Sequence, residues 1–155
     1  MCLSLTLDHP EDVLSQREHE GFQYVVMKNM LGYRCGYVHV PAGHPWHGKG
    51  YNNIDCEVHG GLTFAAADAP CGKAGPNDGW WIGFDAAHVY DAPDPALMSE
   101  FEGLISAKEA QVILKKLSLH ERPWQVRDQK YMEAECESLC EQARDARFLA
   151  TEPSR

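Results

Sequence analysis

A chain of 155 residues, 44% hydrophobic and 24% charged with four tryptophans, has the composition of a globular protein and not of a disordered or fibrous one; it fits one domain with a core over about residues 21 to 147 and loose termini. Its 23 acidic against 14 basic side chains give a net charge of −9, which argues against a protein that wraps a nucleic-acid backbone, because phosphates must be met by many Lys and Arg. The opening MCLSLTLDHPEDVLSQ has no basic start and no apolar run reaches membrane-spanning length, so a cytoplasmic protein without membrane association is expected, with room for a homo-oligomer.

In chain order, GFQYVVMK (Gly21 to Lys28) and YRCGYVHV (Tyr33 to Val40) are rich in aromatic and β-branched residues, and the short link between them predicts an antiparallel hairpin. PAGHPWHGKGYNN (Pro41 to Asn53) reads as a long loop, the kind of segment that often carries function. IDCEVH alternates, with Ile54, Cys56 and Val58 on one side and Asp55, Glu57 and His59 on the other, which predicts a strand. Gly60-Gly61 then predicts a tight hairpin into LTFAA, since both glycines tolerate positive φ.

WWIGFD (Trp80 to Asp85) predicts a strand with Trp80, Ile82 and Phe84 facing one way and Trp81, Gly83 and Asp85 the other. Gly83 removes a side chain beside Asp85 and leaves room for a bulge or a ligand. Ser106 and Glu109 form an S-x-x-E capping box ahead of Ala110, Ile113, Leu114 and Leu117, so a helix is expected from Ala107 to Leu119, ended by Pro123. A second helix from Asp128 to about Arg147 carries Met132, Cys136, Leu139 and Ala143 on one stripe. These elements make an α+β fold: an antiparallel sheet of about five strands with C-terminal helices packed on one face and the other face open. Trp80, Ile82, Phe84, Ile54, Val58 and Phe64 are expected to meet the Met132, Cys136 and Leu139 stripe.

Six cysteines without a CxxC pair suggest small buried hydrophobes more than a disulfide framework. GHPWHGKG falls short of the phosphate loop GxxxxGK[ST], because Gly50 stands where the metal-binding hydroxyl should and no helix follows. His44 and His47 lack the spacing of a structural zinc site. Asp55, Glu57 and His59, joined by Asp85, His88 and Asp91, offer hard oxygen and imidazole ligands for Mg²⁺, Mn²⁺ or Zn²⁺ if strand order brings them together. Asp85, His88 and Asp91 are spaced by three, so they converge if the chain winds into a turn after Phe84.

HGGLTF (His59 to Phe64) and WWIGFDAAH (Trp80 to His88), with CGYVHVPAGHP, the GK-x-Y of Gly48, Lys49 and Tyr51, and RDQKYMEAECESL, resemble the signature of a small uncharacterised family found in bacteriophages and bacteria, over about Gly21 to Gln142. His47 departs from that pattern. The resemblance implies a phage-associated cytosolic protein and attaches no chemistry to any residue.

Two functions fit. In one, a small hydrolase uses His59, Asp85, His88 and Glu57 as acid, base or metal ligands on a phosphate-containing small molecule such as a nucleotide. In the other, the same pocket binds or sequesters that ligand without turnover. In either case His44, Lys49, Tyr51, Gly60, Gly61, Thr63, Trp81 and Gly83 are the expected ligand contacts, with Tyr51 and Trp81 stacking and Lys49 answering charge.

Overall fold

The computed structural model describes residues 9–67, 79–98 and 123–151, together with residues 108, 109, 112 and 115. The strands are β1 (Val13–His19), β2 (Phe22–Lys28), β3 (Arg34–Val40), β4 (Phe64–Ala67), β5 (Trp80–Asp85), β6 (Asp91–Ala92) and β7 (Gln125–Val126), and the long helix is α1 (Gln129–Thr151). The first five form one antiparallel sheet in the order β1-β2-β3-β5-β4, while β6 and β7 make a short parallel pair. The architecture is therefore α+β, with α1 laid across one sheet face. Among the described residues no helix is long and apolar enough to cross a membrane.

The β2–β3 hairpin follows from Asn29, whose side-chain oxygen accepts from the Leu31 and Tyr33 N–H groups and closes the turn. β1 extends the core below residue 21 and was hidden in sequence, because VLSQREH lies at an edge with a largely wet face and shows no alternation. Its turn is legible in retrospect: Glu20 and Gly21 both have positive φ (51° and 80°), as a two-residue hairpin with the right twist requires.

IDCEVH is not a sheet strand. Its burial still alternates, but Phe64–Ala67 takes the place beside β5, and the extended segment leans on α1 instead. Gln142 acts as a substitute strand there: its side-chain oxygen accepts from the Glu57 N–H at 2.7 Å and its amide donates to the Glu57 carbonyl at 2.7 Å. The Gly60-Gly61 turn does form, with Gly61 N–H donating to Val58 O, yet it joins this segment to β4 without making a hairpin.

Asp128 caps α1 through the Tyr131 N–H at 2.8 Å, and Met132, Cys136, Leu139, Cys140 and Ala143 are buried against Phe22, Tyr24, Val26, Val38, Ile82 and Phe84. The helix comes this close because of Gly36. A Cβ there would lie 2.5 Å from the Phe84 ring and 2.7 Å from Cys136 Sγ. Ile54 joins this core, and Trp80 and Val58 pack at its edge. Of the helix expected from Ala107 to Leu119, Lys108, Glu109, Val112 and Lys115 are helical and exposed; its apolar stripe lies outside the described residues.

The opposite face is not open. Val25, Met27 and Trp81 are buried there with Val13, Tyr37 and Phe64 around them, so Phe64 belongs to this second cluster and not to the helix side. Register explains the arrangement. Tyr37 and Phe64 both pair with Gly83, one from each side, and their rings meet edge to face at 5.4 Å. A Cβ on Gly83 would lie 2.5 Å from the Tyr37 ring, so the missing side chain makes room for that aromatic and not for a ligand.

Two expectations follow for stability. Phe84→Ala should cost about 3 to 5 kcal/mol in chemical denaturation, the usual range for a large core aromatic. Gly83→Val should cost about 1 to 3 kcal/mol by pushing Tyr37 aside; an unchanged denaturation midpoint would mean the aromatic pair does not depend on the glycine.

Candidate functional site

β5 ends at Asp85, and the chain then folds into two successive side-chain-capped turns. Asp85 accepts from the Ala87 N–H at 3.1 Å and from the Thr63 hydroxyl at 2.8 Å. Asp91 accepts from the His88 N–H at 3.0 Å while its own N–H donates to His88 O, with Tyr90 held at φ 72°. The turn at Gly60 approaches from the other side, and any Cβ at Gly60 would collide with the His88 ring. Glycine is required there by contact as much as by its positive φ.

The result is a cluster around two imidazoles. The rings of His59 and His88 are 5.8 Å apart, and His88 Nε2 stands 3.6 Å from Asp85 Oδ1 with no hydrogen-bond partner among the described residues. His59 Nε2 is 2.7 Å from Asp91 Oδ2, and His59 Nδ1 is 2.9 Å from the Tyr131 hydroxyl. Arg127 Nε donates to Asp91 Oδ1 at 2.9 Å, and the Arg127 guanidinium lies 5.0 Å over the Tyr131 ring. The His59 N–H donates to Glu135 at 2.8 Å, which anchors the turn to α1.

Asp91 sets the protonation pattern. Burial pushes its carboxyl up, but hydrogen bonds from Arg127, His59 and the His88 N–H outweigh that and hold it below the usual carboxylate range. An ionised carboxylate only accepts, so His59 Nε2–H donates to Asp91, and in the neutral imidazole the Nδ1 lone pair faces the Tyr131 hydroxyl. Asp91, His59 and Tyr131 thus form a directed relay. A second layer supports it: Arg34, 8% exposed, donates to the Arg127 carbonyl at 3.1 Å and to Asp94 at 2.7 Å.

Of the residues grouped from sequence, His59, Asp85, His88 and Asp91 meet here, with Thr63 and Gly60 in direct contact with them. Asp55 and Glu57 do not join: both are exposed, and no described contact links either carboxylate to the cluster. The ligand atoms of the six proposed metal residues do not converge, and both ring nitrogens of His59 are engaged. Among the described residues the set lying within 4.8 Å is His9, Glu11 and Asp12, an exposed turn.

The proposed ligand contacts divide similarly. His44 is a core histidine, 5% exposed: it donates from Nε2 to Ala143 O at 2.7 Å, accepts the Trp46 N–H on Nδ1, and packs edge to face on Phe22. Burial pushes its pKa down, against the opposing effect of the Ala143 bond. Trp81 is 1% exposed and meets His39 edge-on, so its burial leaves no face for a ligand, and Gly83 is covered by Tyr37. Lys49 and Tyr51 are exposed on the loop; the Lys49 carbonyl holds the Trp80 indole, and no described contact ties either side chain to the cluster. Gly61 is open, with nothing near its missing Cβ.

Sequence reasoning missed Tyr131, Arg127 and Glu135. Tyr131 and Glu135 are spaced i, i+4 at the start of α1 and share a face, which was the available signal, whereas Arg127 lies before the helix and gave none. The signal was masked by the apolar stripe beginning at Met132. The described cysteines offer no nucleophile, since burial pushes the Cys35 and Cys56 thiols up to about 11 and Cys140 up to about 12.

Because the Asp91 pKa is lowered on folding, its contribution is present above the ordinary carboxylate range and is lost as pH falls through the folded-state value. Asp91→Asn should therefore cost about 3 to 5 kcal/mol at neutral pH, as removal of one partner of a buried ion pair does. The gap to the unsubstituted protein should narrow as pH falls below the ordinary carboxylate range toward the folded-state value; denaturation curves at pH 7 and pH 3 check this, and a constant gap would show that Asp91 is not the ionised partner.

No family profile, curated protein or solved structure matches this chain, so its function has to be argued from the cluster itself.

Proposed function

We propose that this chain is a small hydrolase that acts on a phosphate-containing small molecule, nucleotides included, by acid–base chemistry at the His59/His88 cluster. The observation that carries the reading is the chain in which a buried Asp91 carboxylate orients His59 at 2.7 Å and His59 Nδ1 stands 2.9 Å from the Tyr131 hydroxyl. A carboxylate that fixes an imidazole tautomer and balances its charge is the arrangement that lets histidine take up and return a proton during bond cleavage. His88, whose side chain is 34% exposed although its unpartnered Nε2 is buried beside Asp85, is the second proton carrier.

Several features favour acid–base over metal chemistry. His59 has no free nitrogen for a metal, and the carboxylates of Asp55 and Glu57 point to no common centre with Asp85 and Asp91. The phage context implied by the sequence resemblance makes a nucleotide substrate sensible by analogy.

The purified protein should be incubated with cyclic and linear nucleotides, with and without a chelator, and the products separated by chromatography. Expected is turnover that survives the chelator and falls by about 10²- to 10⁴-fold in His88→Ala, with little change in melting temperature. Saturable nucleotide binding without product would replace the hydrolase by the sequestering function. Neither binding nor turnover would leave the cluster a structural tie.

A further inference from the structure

His59 has both ring nitrogens occupied, Nε2 by Asp91 and Nδ1 by Tyr131, so it cannot itself touch a substrate while the relay is intact. The group at the far end of the relay is the hydroxyl of Tyr131, a half-buried residue in the first turn of α1. It stands to His59 as the serine hydroxyl stands to histidine in an acid–histidine–serine triad, with the carboxylate on the far nitrogen. Burial pushes the Tyr131 phenol above its ordinary value, so the neutral group needs a base to become a nucleophile, and His59 is that base.

From this geometry we infer that Tyr131 is the covalent nucleophile of the hydrolase, and that its substrate is a phosphodiester carrying a single negative charge. The inference rests on the hydrolase reading above. Local charge argues the substrate class: Arg127 is offset by Asp91, which leaves the Asp85 carboxylate beside the His88 ring and the Glu135 carboxylate on the His59 backbone N–H, an environment that penalises a dianionic monoester more than a monoanionic diester.

The chemistry balances. The Tyr131 oxygen attacks phosphorus and forms an O–P bond as its proton passes to His59 Nδ1, while the bond to the leaving oxygen breaks and that oxygen takes a proton from His88. Water then attacks phosphorus and gives a proton to His88, the tyrosyl O–P bond breaks, and Tyr131 recovers its proton from His59. One diester and one water become one monoester and one alcohol, with Asp91 balancing the charge on His59 throughout.

The test uses the full chain with bis(p-nitrophenyl) phosphate as the probe. Expected are a burst of about one p-nitrophenolate per protein, an acid-stable adduct that peptide mapping places on Tyr131, and a loss of turnover on the order of a hundredfold or more in Tyr131→Phe. That variant keeps the ring under Arg127, and circular dichroism checks its fold; should it not fold, the position of the adduct in the unsubstituted protein still decides. An adduct on another residue, steady hydrolysis without burst or adduct, or undiminished turnover in Tyr131→Phe would overturn Tyr131 as nucleophile while the hydrolase reading stands. A protein that neither cleaves nor is labelled by the probe but hydrolyses a nucleotide monoester would overturn the diester assignment. Failure with every phosphoester would remove both.

Discussion

A carboxylate buried to 1% exposure is stable only when donors meet its lone pairs, and Asp91 finds them in three separate segments. The His88 N–H comes from its own turn, the His59 ring from the glycine turn behind β4, and the Arg127 guanidinium from the approach to α1. One charged group therefore ties the end of β5, the segment before β4 and the start of the helix to each other. Those segments are otherwise joined by little regular structure, since β6 and β7 pair over only two residues each.

The sheet supplies the rigid frame for this junction through two glycines on neighbouring strands. Gly36 on β3 opens the helix side, so that Phe84 and Cys136 approach the backbone, and Gly83 on β5 opens the other side for Tyr37. Each glycine trades side-chain packing of its own for aromatic packing by its neighbours, and together they hold β5 between two apolar layers. Asp85, at the end of that strand, is consequently presented from a fixed position.

The two best-engaged histidines show how location separates structure from chemistry. His44 and His59 each have both ring nitrogens occupied. His44 bonds to backbone inside the core and is kept neutral by burial, so it serves to clamp the long loop against α1. His59 bonds to a carboxylate on one side and an ionisable hydroxyl on the other, partners that can follow a proton as it moves. Only the second arrangement links the ring to two ionisable side chains.

The sequence by itself determined the elements whose signals are local. Aromatic and β-branched richness located β2 and β3, alternation located β5, and the apolar stripe with Asp128 at its head located α1. Spacing by three in Asp85, His88 and Asp91 allowed these groups to converge if the chain wound into a turn after Phe84, and the turn is there. What the tertiary structure decided were matters of pairing. The alternation of IDCEVH is the same whether its polar edge meets a strand or the Gln142 amide, so no local pattern could tell the two apart. The edge strand β1 lacks a pattern because one face stays wet. Gly83 beside Asp85 looked like room for a ligand until register put Tyr37 and Phe64 across it. Tyr131 and Arg127 entered the cluster only when the helix docked, because a contact across 72 residues, such as that between His59 and Tyr131, depends on how the chain closes and leaves no trace in either segment alone.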